Sequence, residues 1–496
     1  MLSVPQQAAA ATQPNPSIDW FAESALGQPA LDLLDAMGRA AEWGLDPRDY
    51  GAVAILSESR SANSPARRAQ LNARLSAAAS RFLAHLHYGR VDPRTVGFDM
   101  PSRADTFDAQ QVLKQLAVTR DTQGVLASVE PPFQHYAFLK AQLAKYRALA
   151  TEPGLTQLPA FKPRSIAAGE PYSGAPALRA LLVALGDLAA AQRASDADRS
   201  LDPQLVAALR RFQFRHGLKQ DGALGRQTYA ALTVPMNTRV RQIELTLERW
   251  RWLPALDAPT IIVNIPQFRL FAFPSASDRE AQMVTMDVIV GQTYPRTRTP
   301  VFAAGLRFVE FQPYWDVPYG IMSRELLPLI RSHPNYLATH DFEIVEAGGS
   351  LTQDPTALQL AELAAGKSRL RQRPGAQNAL GPVKFVLPNP YNVYLHSTPA
   401  NELFKASRRA FSHGCIRVSD PVALAEYVLR QAPAEWTRER IIAAMQAPDT
   451  QRVDLKQAIR VLIVYGTAVA TEKGLVYFFD DLYGNDARLA RALGTR

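Results

Sequence analysis

The chain has 496 residues, a net charge of +9 and a single cysteine, which excludes a disulfide framework and leaves room for two to four domains. Its hydrophobic content of 47% is that of a soluble globular chain, and no run of 18 or more apolar residues is long enough to span a bilayer. The basic balance raises nucleic-acid binding, but Lys and Arg are scattered, with no stripe, zinc-finger, RRM or helix-turn-helix pattern beneath them. An anionic polymer suits the same charge.

Residues 1–18 are rich in Ala, Gln and Pro and read as a disordered tail. They lack the basic and apolar regions of a signal peptide. Residues 19–168 read as a helical domain. Leu31, Leu33, Leu34, Met37 and Ala41 recur at helical spacing and stop at Gly44-Leu45-Asp46-Pro47. Further helices are predicted over about 66–86 and through Tyr136, Leu139, Leu143 and Tyr146. His85 and His87 are two apart, so on a helix they point to different faces, and structural roles outweigh a metal site.

Residues 172–236 read as a compact helical unit. Leu178, Leu181, Leu182, Leu185 and Leu188 form one apolar face, and Leu205, Leu209 and Phe212 form another. From 237 to 496 the pattern turns to short β-type runs: 261–263, 269–273, 284–290, 306–311, 384–387 and 393–395. A stretch of about 318–374 interrupts them with helical character at 323–331 and 356–371, and an insertion of this length suggests a lid. A strand over 460–470 and a partner over 475–479, joined by Glu472-Lys473-Gly474, are predicted near the end. The fold class is therefore multidomain α+β.

The chemistry concentrates around Cys415, in Ala410-Phe411-Ser412-His413-Gly414-Cys415-Ile416-Arg417-Val418. A lone cysteine can be a small buried hydrophobe, but His413 and Arg417 flank this one, and positive neighbours favour a thiolate. Gly414 permits close backbone approach, and consecutive amides there can form an oxyanion hole. His396 lies nineteen residues upstream and is the candidate general base. Papain-type peptidases have the opposite order, with Cys well before His.

His396, fifteen intervening residues and then Ser412-His413-Gly414-Cys415 resemble the signature of YkuD-type L,D-transpeptidases, cysteine enzymes that cross-link peptidoglycan. Three further segments match blocks of that family: 291–300, 374–381 and 388–392. The layout resembles its large YcbB-like branch. The run Phe212 to Leu218, followed by Asp221-Gly222 and Gly225, is similar to a three-helix peptidoglycan-binding domain, with a bare helical spacer as the alternative.

The resemblance implies a helical scaffold, a peptidoglycan-binding-like domain and a mainly β catalytic domain with a lid. It implies Cys415 as nucleophile and His396 as base, oriented by the backbone carbonyl of Ser397. It gives Gly414, with the Cys415 N–H, to the oxyanion site and leaves His413 to tune the pocket. Arg417 is expected to hold the Cys loop or a substrate carboxylate, and Tyr394, Trp315 and Asn378 to line the cleft. The implied reaction is 3→3 cross-linking through a thioester with release of D-alanine, without metal or organic cofactor. The implied partners are peptidoglycan stem peptides and glycan, together with other cell-wall synthesis enzymes, and not nucleic acid. The expected location is the periplasm, with any export signal or membrane anchor outside this sequence. The alternatives are a non-catalytic wall-binding protein, an L,D-carboxypeptidase and a transpeptidase that attaches lipoproteins.

Overall fold

The computed structural model describes residues 18–101, 107–162, 164–190, 199–254, 259–273, 283–294 and 297–494. Apart from Ile18, the expected disordered tail lies outside the described residues. The N-terminal region is helical, with Gln28–Gly38, Pro65–Tyr88 and Gln134–Thr151 as its main helices. Pro65 at the first turn and the Ser64 hydroxyl on the Arg67 N–H start the second of these, the usual solution for orphan amides. Leu33, Leu34, Met37, Leu75, Phe82 and Leu83 fill a core of its own. The two histidines are structural: His85 Nδ1 meets the Tyr50 hydroxyl at 2.9 Å, and the His87 ring stacks on Phe107.

Two helices, Ala175–Leu185 and Pro203–Arg215, carry the predicted apolar faces of the next unit, and Arg226–Leu232 completes it. Helix Met236–Arg251 then runs against helix Gln134–Thr151, and a continuous core joins these elements to the β region. Buried polar contacts fix that helix: Arg249 pairs with Asp486 at 2.5 Å, and Glu248 takes the Val91 N–H at 3.0 Å.

The β region holds a nine-stranded sheet in which every strand but Ala410–Ser412 pairs in an unbroken ring. Its order is Thr260–Asn264, Arg269–Phe273, Val284–Gly291, Ile416–Val418, Leu395–His396, Val383–Val386, Phe302–Phe311 and Gln451–Val464, which returns to Thr260–Asn264. Closure leaves no ring edge to pair with another chain. Ile261, Leu270, Val288, Val309, Phe385, Leu395, Ile416 and Val461 pack as a common apolar core. The expected strand over 460–470 is longer and then broken. Gln451–Val464 stays in the ring, whereas Ala468–Ala470 leaves it to pair with Val476–Phe478.

The insertion is not only helical, as its sequence suggested. Helical turns run from Tyr319 to Ser332, including a π-helical turn at Met322–Leu326, and Ala357–Ala364 is a short helix behind a Thr356 capping box. Between them stands a four-stranded sheet, in the order Leu351–Thr352, Phe342–Val345, Arg369–Gln372, Trp315–Asp316. Part of the stretch 356–371 is thus strand, because Leu370 is drawn into a separate small core with Val317, Met322, Ile330, Phe342 and Ile344. A core of its own makes the insertion a subdomain and not a loop.

Candidate active site

Two short parallel strands build the site. Leu395 pairs with Ile416 and His396 with Arg417, and the Ile416 N–H reaches the Tyr394 carbonyl at 3.1 Å. Side chains alternate along a strand, so with Leu395 and Ile416 turned into the core, Tyr394, His396, Cys415 and Arg417 share the opposite face. The neighbouring strand adds Lys384, directly opposite His396. Its ammonium lies 4.6 Å from the Tyr394 ring centroid and 3.5 Å from Glu310. Lys384 was not singled out in the sequence, because a lysine alternating with Val383 and Phe385 looks like any solvent-facing strand position.

Cys415 is partly buried, and its thiol donates to the Asn392 carbonyl at 3.7 Å. Asn392 holds φ +54, and Asn389 shapes that turn by accepting the N–H groups of Tyr391 and Val393. Burial pushes the thiol up from its usual range; the nearby Tyr394, Lys384 and Arg417 oppose that shift without cancelling it. His396 is buried, and burial together with the charge of Arg417 lowers its imidazole to about 3. The resting pair is therefore a neutral thiol and a neutral imidazole. The bond between them is not formed in this state, as is common before substrate arrives.

The backbone of Ser397 and of Leu380 favours the protonated imidazole, yet Nδ1 is buried without a hydrogen-bond partner among the described residues. Gly381 brings this segment close: a Cβ there would stand 2.8 Å from both the Ser397 Cβ and the Thr398 nitrogen. Arg417 is held on the same face; burial lowers its guanidinium pKa, Cys415 and Glu402 oppose that shift, and Nε has no partner among the described residues.

Two expectations change, those for Gly414 and Asn378. The Gly414 N–H is not open to an oxyanion, because it is spent on the Ser412 hydroxyl at 3.1 Å; the Cys415 N–H has no acceptor among the described residues. Asn378 does not line the cleft. It is 1% exposed, donates to the Pro313 and Arg373 carbonyls at 3.0 and 2.9 Å, and accepts from the Leu380 N–H, so it pins the two ends of the insertion together. His413 is turned to the insertion, where its Nε2 meets Glu325 Oε1 at 2.8 Å. Trp315 and Tyr394 do sit at the site: the Trp315 side chain interacts with the Tyr394 hydroxyl, which in turn interacts with Cys415. No group of three or more metal-ligating side chains occurs among the described residues, and the cleft brings together a thiol, an imidazole, two cations and an amide that has no acceptor among those residues.

Comparison with known proteins gives matches over three parts of the chain. A family model described as "L,D-transpeptidase catalytic domain" matches residues 258–443, one described as "Scaffold domain" matches 13–143, and one described as "Putative peptidoglycan binding domain" matches 173–232. A Haemophilus influenzae protein named "Putative L,D-transpeptidase" is 29% identical over 282 residues, covering 56% of this chain. The chain spans about half, 55%, of that relative's length. A solved L,D-transpeptidase structure from Xylanimonas cellulosilytica covers 62% of this chain and all of its own at 16% identity; its TM-score of 0.18 carries no weight here. Residues 258–443 thus match the YkuD-type L,D-transpeptidase catalytic domain, and the residues before them match a scaffold domain and a putative peptidoglycan-binding domain.

Proposed function

We propose that the chain is a cysteine L,D-transpeptidase that forms 3→3 cross-links between peptidoglycan stems in the periplasm, working beside other cell-wall synthesis enzymes. The observation that carries this reading is the shared face of His396, Lys384 and Arg417 on adjacent strands, with Cys415 immediately before the strand that carries Arg417. His396 takes the thiol proton as sulfur attacks the carbonyl between diaminopimelate and D-alanine of a tetrapeptide stem. The C–S bond forms while the carbonyl π pair moves to oxygen, next to the Cys415 N–H. Collapse of that oxyanion breaks the C–N bond, and the leaving amine of D-alanine takes the proton back from the imidazolium.

The side-chain amine of a second diaminopimelate then attacks the thioester. His396 accepts its proton and returns it to the departing sulfur, so the enzyme ends as it began. A neutral imidazole is the form needed to start, and a pKa near 3 keeps it neutral at any physiological pH. Lys384 and Arg417 suit the stem's carboxylates, and carbapenems are expected to acylate the same sulfur. Incubation with purified disaccharide-tetrapeptide, read by mass spectrometry, tests the proposal. Cross-linked dimer and free D-alanine are expected from the wild type and neither from Cys415→Ala. Tripeptide and D-alanine without dimer would make it a carboxypeptidase, and no turnover with intact sacculus binding would make it a wall-binding protein.

A further inference from the structure

We infer that Thr299 is a positioning residue for acyl transfer: its hydroxyl fixes the peptide unit between Gly414 and Cys415 and thereby aims the Cys415 N–H at the oxyanion. The inference rests on Cys415 acting as the acyl-accepting nucleophile. Thr299 is 2% exposed and lies 116 residues before the cysteine, in none of the strands of the ring. Its Oγ1 accepts the Gly291 N–H at 2.9 Å and meets the Gly414 carbonyl at 2.8 Å. A hydroxyl has one proton, and with an N–H already directed at its lone pair that proton goes to Gly414.

The consequence follows from peptide geometry. The chain's described residues contain no cis peptide bond, so the C=O of Gly414 and the N–H of Cys415 belong to one planar unit and point in opposite directions. Anchoring the carbonyl therefore sets the direction of the amide. That amide has no acceptor among the described residues, whereas the Gly414 N–H before it is held by Ser412. Ser412 also donates to the Cys415 carbonyl at 2.5 Å, so both flanking peptide groups are tied down and one donor is left open. Gly414 needs its glycine for this: its φ of +122 strains any other residue.

Thr299 is itself clamped. Its N–H reaches the Tyr483 hydroxyl at 3.3 Å, and that hydroxyl donates to the Gly291 carbonyl at 2.6 Å. A Cβ on Gly291 would stand 1.9 Å from the Thr297 oxygen and 2.6 Å from the Thr299 nitrogen, so only glycine allows the approach. The thiol takes no part in this cradle; it faces Asn392. The cradle should therefore act on the carbonyl oxygen of the substrate and not on the reactivity of sulfur.

Two reagents separate those roles. A carbapenem acylates sulfur through an oxyanion: the C–S bond forms, the lactam C–N bond breaks and nitrogen takes the proton. Iodoacetamide alkylates it by displacing iodide at carbon, with no oxyanion. For Thr299→Val we expect the limiting acylation rate to fall roughly 10- to 100-fold at unchanged half-saturation, somewhat less than complete removal of an oxyanion donor. Alkylation should stay within about twofold, and Thr299→Ser should restore acylation. Should Thr299→Val not fold, Tyr483→Phe must show the same split in weaker form. Wild-type acylation rates in these variants, or parallel loss of acylation and alkylation, would overturn the role of Thr299. A wild type that is alkylated but neither acylated nor active on tetrapeptide would instead overturn the transpeptidase reading on which it stands.

Discussion

Two regions of this chain carry recognisable sequence motifs, and the structure uses those motifs in opposite ways. In the helical unit the polar motif residues are consumed internally. Gln213, 1% exposed, donates to Asp221, the Ala223 carbonyl and Thr228 and accepts the Gly222 N–H. Arg215 is buried against Asp187 and the Val476 carbonyl, and the His216 ring stacks 3.8 Å from Phe212 and also lies against Phe478. The motif there folds the unit and fastens it to the final hairpin of the β region. In the cleft, by contrast, His396 Nδ1, Arg417 Nε and the Cys415 N–H are left without partners among the described residues. Buried polar groups are normally paired, so unspent capacity beside the Cys415 thiol is where, on the proposed function, a substrate would complete the bonding. Orphan atoms alone do not suffice: Arg249, Trp250 and Arg251 have them too, on a helix with no nucleophile.

The largest effect that would test this contrast is removal of the proposed base. His396→Ala should lower the acylation rate by roughly 10²- to 10⁴-fold while leaving alkaline alkylation of Cys415 in place. Because burial raises the thiol and lowers the imidazole, wild-type alkylation should climb with pH into the alkaline range, with no plateau near pH 5–6. A low-pH plateau would mean a preformed thiolate–imidazolium pair and would break the neutral-pair account.

In the helical unit the expected loss is of stability and not of rate. Arg215→Met strands a buried carboxylate on Asp187, which should cost about 3–5 kcal/mol in urea unfolding. Replacing both partners with apolar residues should recover much of it, and acylation per folded molecule should match the wild type throughout. A rate loss in a stably folded Arg215 variant would place that unit in the reaction. A smaller effect is expected at Lys384, whose charge lowers both the thiol and the imidazole. Lys384→Met should move the alkylation profile to higher pH, slowing alkylation at pH 8 by roughly 3- to 10-fold; an unmoved profile would remove Lys384 from the electrostatics of the sulfur.

Much of the fold was legible because its signals are local. Leu178, Leu182, Leu205 and Phe212 repeat at helical spacing and are buried, and the short runs at 261–263, 269–273 and 284–290 fall on strands of the ring. The insertion misled because its strands are short and depend on one another: Arg369–Gln372 is a strand only because Phe342–Val345 and Trp315–Asp316 flank it. In the cleft, Cys415 and His396 stood out by residue type and spacing. Lys384, Thr299 and Tyr483 did not, since strand register and hydroxyl bonding across 115 residues or more leave no periodic trace. Asn378 was read for the wrong task because a polar residue in a motif looks the same whether it faces a substrate or ties two strands of backbone.

The smallest expected effect probes how the insertion meets the site. It touches the Cys loop through His413 and Glu325, both partly exposed, at 36% and 48%. Exposed pairs of this kind contribute about 1 kcal/mol at most and weaken with salt. Glu325 lies in the π-helical turn, a local irregularity that turns up at functional sites more often than in plain helix. Glu325→Ala should therefore raise the half-saturating tetrapeptide concentration about two- to threefold at low salt, with the limiting rate unchanged and the difference shrinking at high salt. That pattern would make the contact an adjustable closure over a cradle that is already rigid. If the limiting rate fell instead, the insertion would be setting the geometry of Cys415 itself, and the division between a fixed chemical face and a separate covering subdomain would have to be given up.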